Sequence, residues 1–366
     1  MTIVGSSILL RIFAHSAYEF TLLFKKSFIE KEKKVKKIFL LIIIAILIVG
    51  CDKSTDVIKV GFWNVENLFD LENDPNKNDD EFSLGGNKLV TQEILDMKLD
   101  HMVEVLSDLD VDILGLCEVE NRKVLEMLNE KYLERNYSIV HYESPDSRGI
   151  DTALLFDTDK FTVEDSYPIE ISFDDGDPSR DILYVNGTFN ESELHIFVNH
   201  WPSNYSGLER GIRRRAVAAI VLRKALDKIL MEDENANIIM MGDFNEDPLA
   251  KAVQDVLNTA IDREEVTENL YQLWNPMAHI MGVEGGGTYK YRGIDNVIDQ
   301  FIVSKGLIDE SELELNPRSV KVLNKDKYRQ QDGDYAGYPF RFWVGDNLLG
   351  GYSDHMAIHC KLYLIN

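Results

Sequence analysis

The segment Met241-Gly242-Asp243-Phe244-Asn245-Glu246-Asp247-Pro248 decides how this chain is read. It closes Asn237 to Met241, a short apolar run that reads as a buried strand. Gly242 ends the run, and acidic and amide side chains follow at once. A carboxylate at the end of so apolar a stretch is costly to bury unless it is paired or holds a cation. The same pattern recurs outward along the chain. Phe62-Trp63-Asn64-Val65-Glu66-Asn67 is one case, and Ile113-Leu114-Gly115-Leu116-Cys117-Glu118-Val119-Glu120 another. Val198-Asn199-His200-Trp201-Pro202-Ser203, Val297-Ile298-Asp299-Gln300 and Gly351-Tyr352-Ser353-Asp354-His355-Met356 complete the set.

Each cluster alone has a plainer reading. Asn64 can cap a turn, Glu118 can end a strand in a salt bridge, and Gly-Asp-Phe-Asn is good turn chemistry. His200 before Trp and Pro can be a satisfied core histidine, and Ser-Asp-His can be a cap. Six such clusters in one chain shift the weight to a shared site at strand ends, where rigid strands aim side chains into one crevice. The donors are mainly hard oxygens with two histidines, which suits Mg²⁺ or Mn²⁺ better than zinc.

Between the clusters lie recognisable elements. Val57 to Val65 and Val111 to Cys117 read as strands, and Asp70 to Asn87 as a loop dense in Asp, Asn and Gly. Lys88 to Leu109 carries apolar residues at helical spacing, and Arg122 to Leu133 and Leu208 to Leu230 also read as helices. Strand candidates are Ser138 to Tyr142, Thr152 to Phe156, Phe161 to Phe173, Ile182 to Phe189, Leu194 to Asn199, Val297 to Val303 and Met356 to Leu364. Leu249 to Val256 reads as a short helix and Asn275 to Gly293 as a Gly-rich loop. Hairpins mixed with crossovers predict an α/β fold of helix-covered sheets in one domain, 57–366.

Composition agrees. The 366 residues are 45% hydrophobic and 28% charged, enough for a sizeable core. Lys plus Arg total 39 against 63 Asp plus Glu, a net charge of −24, which disfavours binding nucleic acid through a broadly basic surface. Three cysteines exclude a disulfide framework and a Cys-rich zinc fold.

The N-terminus reads as an address. Lys31 to Lys37 is basic, and Ile38 to Val49 has no polar side chain and is too short to span a bilayer. Ile48-Val49-Gly50-Cys51 resembles a bacterial lipobox, which implies cleavage before Cys51 and lipidation of its thiol. Residues 1–50 are then a signal segment and 51–56 a tether. Residues 1–34 fit no signal and are expected to come from a mis-assigned start, with Val35 the true initiator; a Val35 codon other than GTG would exclude that. Without residues 1–50 the charge is −29. The expected address is the bacterial cell envelope, on the outer membrane or surface, as a lipid-anchored monomer. Cys117 and Cys360 lie in apolar runs and are expected to be buried and free.

In their order and wording the clusters resemble the endonuclease/exonuclease/phosphatase superfamily of metal-dependent phosphoesterases, from about Val57 to Leu364. The Phe-Trp-Asn-Val-Glu-Asn-Leu-Phe-Asp opening and Asn199-His200-Trp201-Pro202-Ser203 look like its bacterial cell-envelope branch. The resemblance implies a four-layer α/β/β/α sandwich with two central mixed sheets and the site between them. It implies that Asn64, Glu118 and Asp354 hold the metal, with Glu118 the principal ligand and Asp354 a second metal or site carboxylate. Asp243 would orient or deprotonate water, and Asn245 would position that water or a phosphate oxygen. His355, held by Asp299, would contact the scissile phosphate. His200 would stabilise the phosphate or protonate the leaving oxygen, and Arg148 would face the phosphate. Arg213, Arg214 and Arg215 cannot share one helix face at about 100° per residue, so one is expected to reach the site and the others to be surface charges.

Substrate class is left to three readings: a nuclease, a phosphatase or phosphodiesterase of small or lipid phosphoesters, and a non-catalytic surface binding lipoprotein. The inositol-phosphatase branch resembles Gly-Asp-x-Asn-x-Arg with a late Asp-Arg, whereas here Glu246-Asp247-Pro248 follows Asn245 and His355 follows Asp354. Decayed binders should lose the glutamate, the Asp/Asn pair or the final histidine, and all are present.

Overall fold

The first apolar run forms strand β1 (Val57–Leu68), three residues longer than expected. A computed structural model describes residues 56–269, 271–308 and 312–365. The expected signal segment 1–50, the expected lipidation site Cys51 and the expected tether up to residue 55 lie outside them. No helix among the described residues is long and apolar enough to cross a membrane.

Next come helix α1 (Gln92–Leu109), β2 (Ile113–Val119), helix α2 (Arg122–Lys131), β3 (Tyr137–His141) and β4 (Asp151–Asp157). Then follow β5 (Thr162–Ile169), β6 (Ile182–Phe189), β7 (Ser192–His200), the long helix α3 (Leu208–Glu232) and β8 (Ile238–Asp243). Two later strands complete the frame, β9 (Asp299–Val303) and β10 (Ile358–Leu364). Helix α1 starts later than its apolar spacing suggests because the Thr91 side chain caps it, accepting from the Ile94 N–H.

One seven-stranded sheet runs Leu313–Leu315, β10, β1, β2, β4, β3, with Lys321–Val322 also on β10. The other runs β5, β6, β7, β8, β9, then Leu273–Trp274 and Thr259–Ala260. Alternation along the strands sorts their side chains into separate cores. Ile58, Val60 and Phe62 of β1 join Ile239 and Met241 of β8 between the sheets. Trp63 and Val65 turn the other way, to Leu99, Met102 and Leu106 of α1 and Leu125 of α2. Ile238 and Met240 of β8 pack on Leu222 and Leu226 of α3. These three cores separate four layers, α/β/β/α. Strands buried on both faces read as unbroken apolar runs, which is why they were legible. At Gly115 the sheets come so close that a Cβ would lie 2.6 Å from Met241 Sδ.

Three local expectations change. The stretch 275–293 is not wholly loop: Pro276–Ile280 is a 3₁₀ turn, and Tyr289–Tyr291 pairs with Ile294–Asn296 as a small hairpin. Leu249 to Val256 yields only a wide π-type turn at Ala252–Val256. Two of the three consecutive arginines on α3 are buried: Arg214 pairs with Asp177, and Arg215 with Glu246 (2.6 Å). Only Arg213 is a surface charge, because Asp177, in the loop before β6, and Glu246, in the loop after β8, reach the other two. Cys117 and Cys360 are buried and free.

Candidate active site

The strand directions define the site. β1, β2, β7 and β8 end at one edge, while β4, β6, β9 and β10 begin there, because β2–β4, β6–β7, β8–β9 and β1–β10 are antiparallel pairs. Glu118, His200 and Asp243 therefore come from strand ends or the residue just before them, and Asn64 from the point where the β1–β2 register shifts. Asp299 begins β9, and His355 lies in the segment leading into β10, bridged to Tyr289.

Bulges aim the first two. The β1–β2 register shifts between Asn64 and Leu68, and Glu66 and Asn67 take left-handed φ values of 54° and 59°. The β2–β4 register shifts between Cys117 and Val119, with Glu118 at φ 62°. Left-handed backbone is unfavourable for such residues and is retained where it redirects a side chain. Here it turns Glu118 toward Asn64, whose Nδ2 lies 3.3 Å from Glu118 Oε1 and 3.1 Å from Asp243 Oδ2. The Asn67 N–H donates to Glu118 Oε2 (3.1 Å).

Asp243 and Asp299 face each other across the β8–β9 pair. Two buried like charges side by side are destabilising unless something lies between them. His355 does so: its Nδ1 is 2.8 Å from Asp299 Oδ2, and its Nε2 is 3.8 Å from Asp243 Oδ2. Burial alone would lower the His355 pKa, but Asp299 and Asp243 raise it well above the ordinary histidine value. Burial, with Asp299 alongside, pushes Asp243 up to about 7 against the pull of His355. Asp243 Oδ1 accepts from the Asn245 N–H (2.9 Å), and Asn245 Nδ2 donates to Trp201 O (2.9 Å).

His200 differs from His355. Its Nε2 lies 3.7 Å from Asp243 Oδ2 and 3.8 Å from Glu118 Oε1, and its Nδ1 has no partner. Burial, then the charges of Arg180, Arg148 and His355, hold its pKa well below the usual value. It is a neutral ring, suited to donating a hydrogen bond rather than delivering a proton as imidazolium.

The structure thus links Asn64, Glu118, His200, Asp243, Asn245, Asp299 and His355 in one continuous network. Asp354 is less central. It pairs with Arg341 Nη2 (2.5 Å), and its Oδ1 is 3.9 Å from His355 Nε2. Arg148 is half-exposed, tied to Asp146, and lines the cavity that opens beside Asn67.

The donor set fits a divalent cation. Asp243, Asp299 and His355 each bring a ligand atom within 4.8 Å of the others. His355, however, is engaged by Asp299 and cationic, which leaves Glu118 as the anchor. Asn64 Oδ1 accepts from the Glu66 N–H (3.0 Å), so its amide turns nitrogen, not oxygen, toward the two carboxylates. Turned over, the amide would place its oxygen beside Glu118 and Asp243, an arrangement that repels when empty and suits a hard cation.

Several supporting groups escaped the sequence reading. Arg180, 5% exposed, donates to Trp201 O (2.8 Å), the carbonyl that also takes Asn245. Lys98 from α1 donates to Val65 O and Tyr352 O, bracing two site-bearing segments. Thr288 Oγ accepts from the Asp299 N–H (3.1 Å). Arg180 precedes a strand instead of ending one, so a search for polar strand ends passes over it. Lys98 and Thr288 carry no local signal.

A family model described as Endonuclease/Exonuclease/phosphatase family matches residues 59–363. No curated protein matches the sequence. Among solved structures, Danio rerio TDP2 complexed with single strand DNA product is 15% identical, covering 84% of this chain and 99% of that one at a TM-score of 0.51. The human Nocturnin catalytic domain with bound sulfate anion is 15% identical over 85% and 98%, TM-score 0.51. An endonuclease/exonuclease/phosphatase family protein from Bacteroides thetaiotaomicron is 15% identical over 86% and 100%, TM-score 0.52. At such identity these likenesses speak for the fold.

Proposed function

Because the chain belongs to the endonuclease/exonuclease/phosphatase family and is thereby a metal-dependent phosphoesterase, we propose that its substrate is nucleic acid, cleaved at phosphodiester bonds within the strand. The observation that carries this reading is the single network joining Glu118, Asn64, His200, Asp243, Asp299 and His355 at one edge of two sheets. A fold neighbour carries a single-stranded DNA product, which supports a strand as the ligand.

Glu118 and Asn64 would hold Mg²⁺ or Mn²⁺, which supplies positive charge to the phosphoryl oxygens. Asp243 accepts a proton from water as its oxygen attacks phosphorus, and Asn245 positions that water. The bond to the leaving sugar oxygen breaks and that oxygen takes a proton from solvent water, giving a phosphomonoester and a hydroxyl. His355, kept cationic by Asp299, faces a phosphoryl oxygen, and neutral His200 donates a hydrogen bond to another. Fixed donors and charges that meet developing negative charge provide much of such catalysis. Arg148 and Asn245 also contact the substrate, and Asp354, paired with Arg341, adds a carboxylate near His355.

An acidic chain sits easily with a small phosphoester too, which keeps phosphatase or phosphodiesterase action on small or lipid substrates as a second reading. Parallel assays on a single-stranded oligonucleotide, inositol phosphates and phospholipid headgroup esters separate the two. Preferential turnover of the oligonucleotide supports the nuclease, and turnover confined to the small esters refutes it. A non-catalytic binding lipoprotein would turn over none of them.

For location we propose a monomer on the bacterial cell envelope, anchored through lipid on Cys51. Globomycin should cause precursor accumulation; unchanged processing would refute the anchor.

A further inference from the structure

A cavity of about 510 Å³ opens beside Asn67, next to the N–H that holds Glu118. Its wall carries three guanidinium groups, those of Arg148, Arg180 and Arg214. Their donors are not all used. Arg180 bonds Trp201 O (2.8 Å) and Asp146 Oδ2 (3.2 Å), yet its Nε has no partner. Arg214 Nε and the hydroxyl of Ser179, a residue 1% exposed on the same wall, also lack partners. Arg148 reaches Asp146 only through Nε (3.4 Å) and its own backbone N–H, which leaves both terminal nitrogens free of protein acceptors.

Buried donors without acceptors are costly to keep. Several on one wall match the oxygens of an anion, and the guanidinium fork suits phosphate in particular. The three acids of the lining are already taken, Asp146 by Arg148 and Arg180, Asp177 by Arg210 and Arg214, and Glu81 by Lys88 (3.5 Å). The cavity is also tied to the reacting centre. Arg180 and Asn245 donate to the same carbonyl oxygen of Trp201. At the rim stands Tyr205, 98% exposed, an aromatic ring that covers nothing in the protein.

We propose that Ser179, Arg180 and Arg148 form a second phosphate subsite that holds a non-scissile phosphate of a nucleic acid strand, with Tyr205 as the platform for an adjoining base. The inference rests on the nuclease reading and narrows it. The preferred substrate carries at least two phosphates, and a diester with one phosphate leaves the subsite empty. Base–aromatic stacking and phosphate contacts of this kind contribute without reading sequence.

The test compares kcat/KM on a single-stranded oligonucleotide with kcat/KM on bis(p-nitrophenyl) phosphate. Ser179→Ala and Tyr205→Ala should each lower the ratio of the two by about tenfold or more, mainly through KM on the oligonucleotide. Tyr205 is exposed, so its substitution leaves folding intact. Fluorescence anisotropy of the labelled oligonucleotide on the Asp243→Asn protein in EDTA reads the same subsite without turnover, and Kd should rise about tenfold for each substitution. An oligonucleotide still cleaved, with ratio and Kd unmoved in both variants, would overturn the subsite and spare the nuclease reading. A parent protein that hydrolyses the small diester but neither binds nor cleaves the oligonucleotide would overturn both.

Discussion

His141, Glu143 and Asp151 at one edge of the first sheet use the same side-chain types as Asp243, Asp299 and His355 at the crevice, and both sets hold their ligand atoms within 4.8 Å of one another. They differ in how far their needs are met. Asp151 receives His141 Nε2 (3.0 Å) on one oxygen and the Ser144 N–H (2.8 Å) on the other, while Glu143 lies at the surface. At the crevice all three groups are buried, two carboxylates oppose each other across a strand pair, and Asp299 Oδ1 has no partner. Residue type does not distinguish a structural pair from a reaction centre. Unmet, buried charge does.

The sharpest way to break this contrast is to neutralise one aspartate in each set. Asp243→Asn should lower kcat about 10²–10⁴-fold with its melting temperature retained or raised, the range for loss of a general base. Asp151→Asn should leave kcat within about threefold, since it touches no reacting group, while lowering the melting temperature through a lost buried bond. Turnover and thermal melts on both variants decide it; a catalytic collapse in Asp151→Asn with Tm unchanged would erase the distinction.

Smaller, and specific to His355, is the effect of Asp299→Asn. Asp299 leads the charges that raise the His355 pKa. Its removal should lower kcat by about 10²-fold or less and move the alkaline limb of the pH–rate profile to lower pH. An unmoved limb would separate His355 from Asp299.

A third outcome concerns stability. The folded pKa of Asp243 is raised to about 7 from 3.8. The folded state therefore holds that proton where the unfolded state has lost it, and this site destabilises the fold progressively as pH rises through that window. In EDTA the melting temperature of Asp243→Asn minus that of the parent should widen between pH 5 and pH 8. Mg²⁺ should raise the parent's Tm more at pH 8 than at pH 5, because a bound cation offsets the ionised carboxylate. A pH-independent Mg²⁺ effect would contradict the raised value.

The smallest effect belongs to Arg213→Ala. Its pair with Glu209 is at 4.0 Å between two exposed side chains, the kind that contributes almost nothing. Turnover and Tm should both stay near the parent's, and a clear loss in either would give this arginine a role the structure does not.

Much of this was legible because the chain is locally consistent. Val60, Phe62, Ile239 and Met241 form unbroken apolar runs since both faces of their strands are covered, and the polar residue that ends each run stands out. Asn64, Glu118, Asp243 and His355 were found in that way. Arg180, Arg341 and Lys98 were not, since each acts through partners far along the chain: Lys98 meets Val65 and Tyr352, and Arg341 meets Asp354 and Glu66. The protonation states were also hidden. His200 and His355 look alike in sequence, and only their neighbours, arginines for one and aspartates for the other, set them apart. Two of the three arginines, Arg214 and Arg215, are buried where only one was expected to turn inward, for the same reason: Asp177 and Glu246 reach them from other segments.

The central claim is that this crevice cleaves nucleic acid with a divalent cation and Asp243 as its base. Incubation of the purified protein with supercoiled plasmid in Mg²⁺, with EDTA and Asp243→Asn controls run alongside, addresses it directly. The account predicts nicking to the open-circular form that disappears in EDTA and in the variant. Plasmid left supercoiled by folded, Mg²⁺-binding protein, or nicking undiminished in Asp243→Asn, would contradict it.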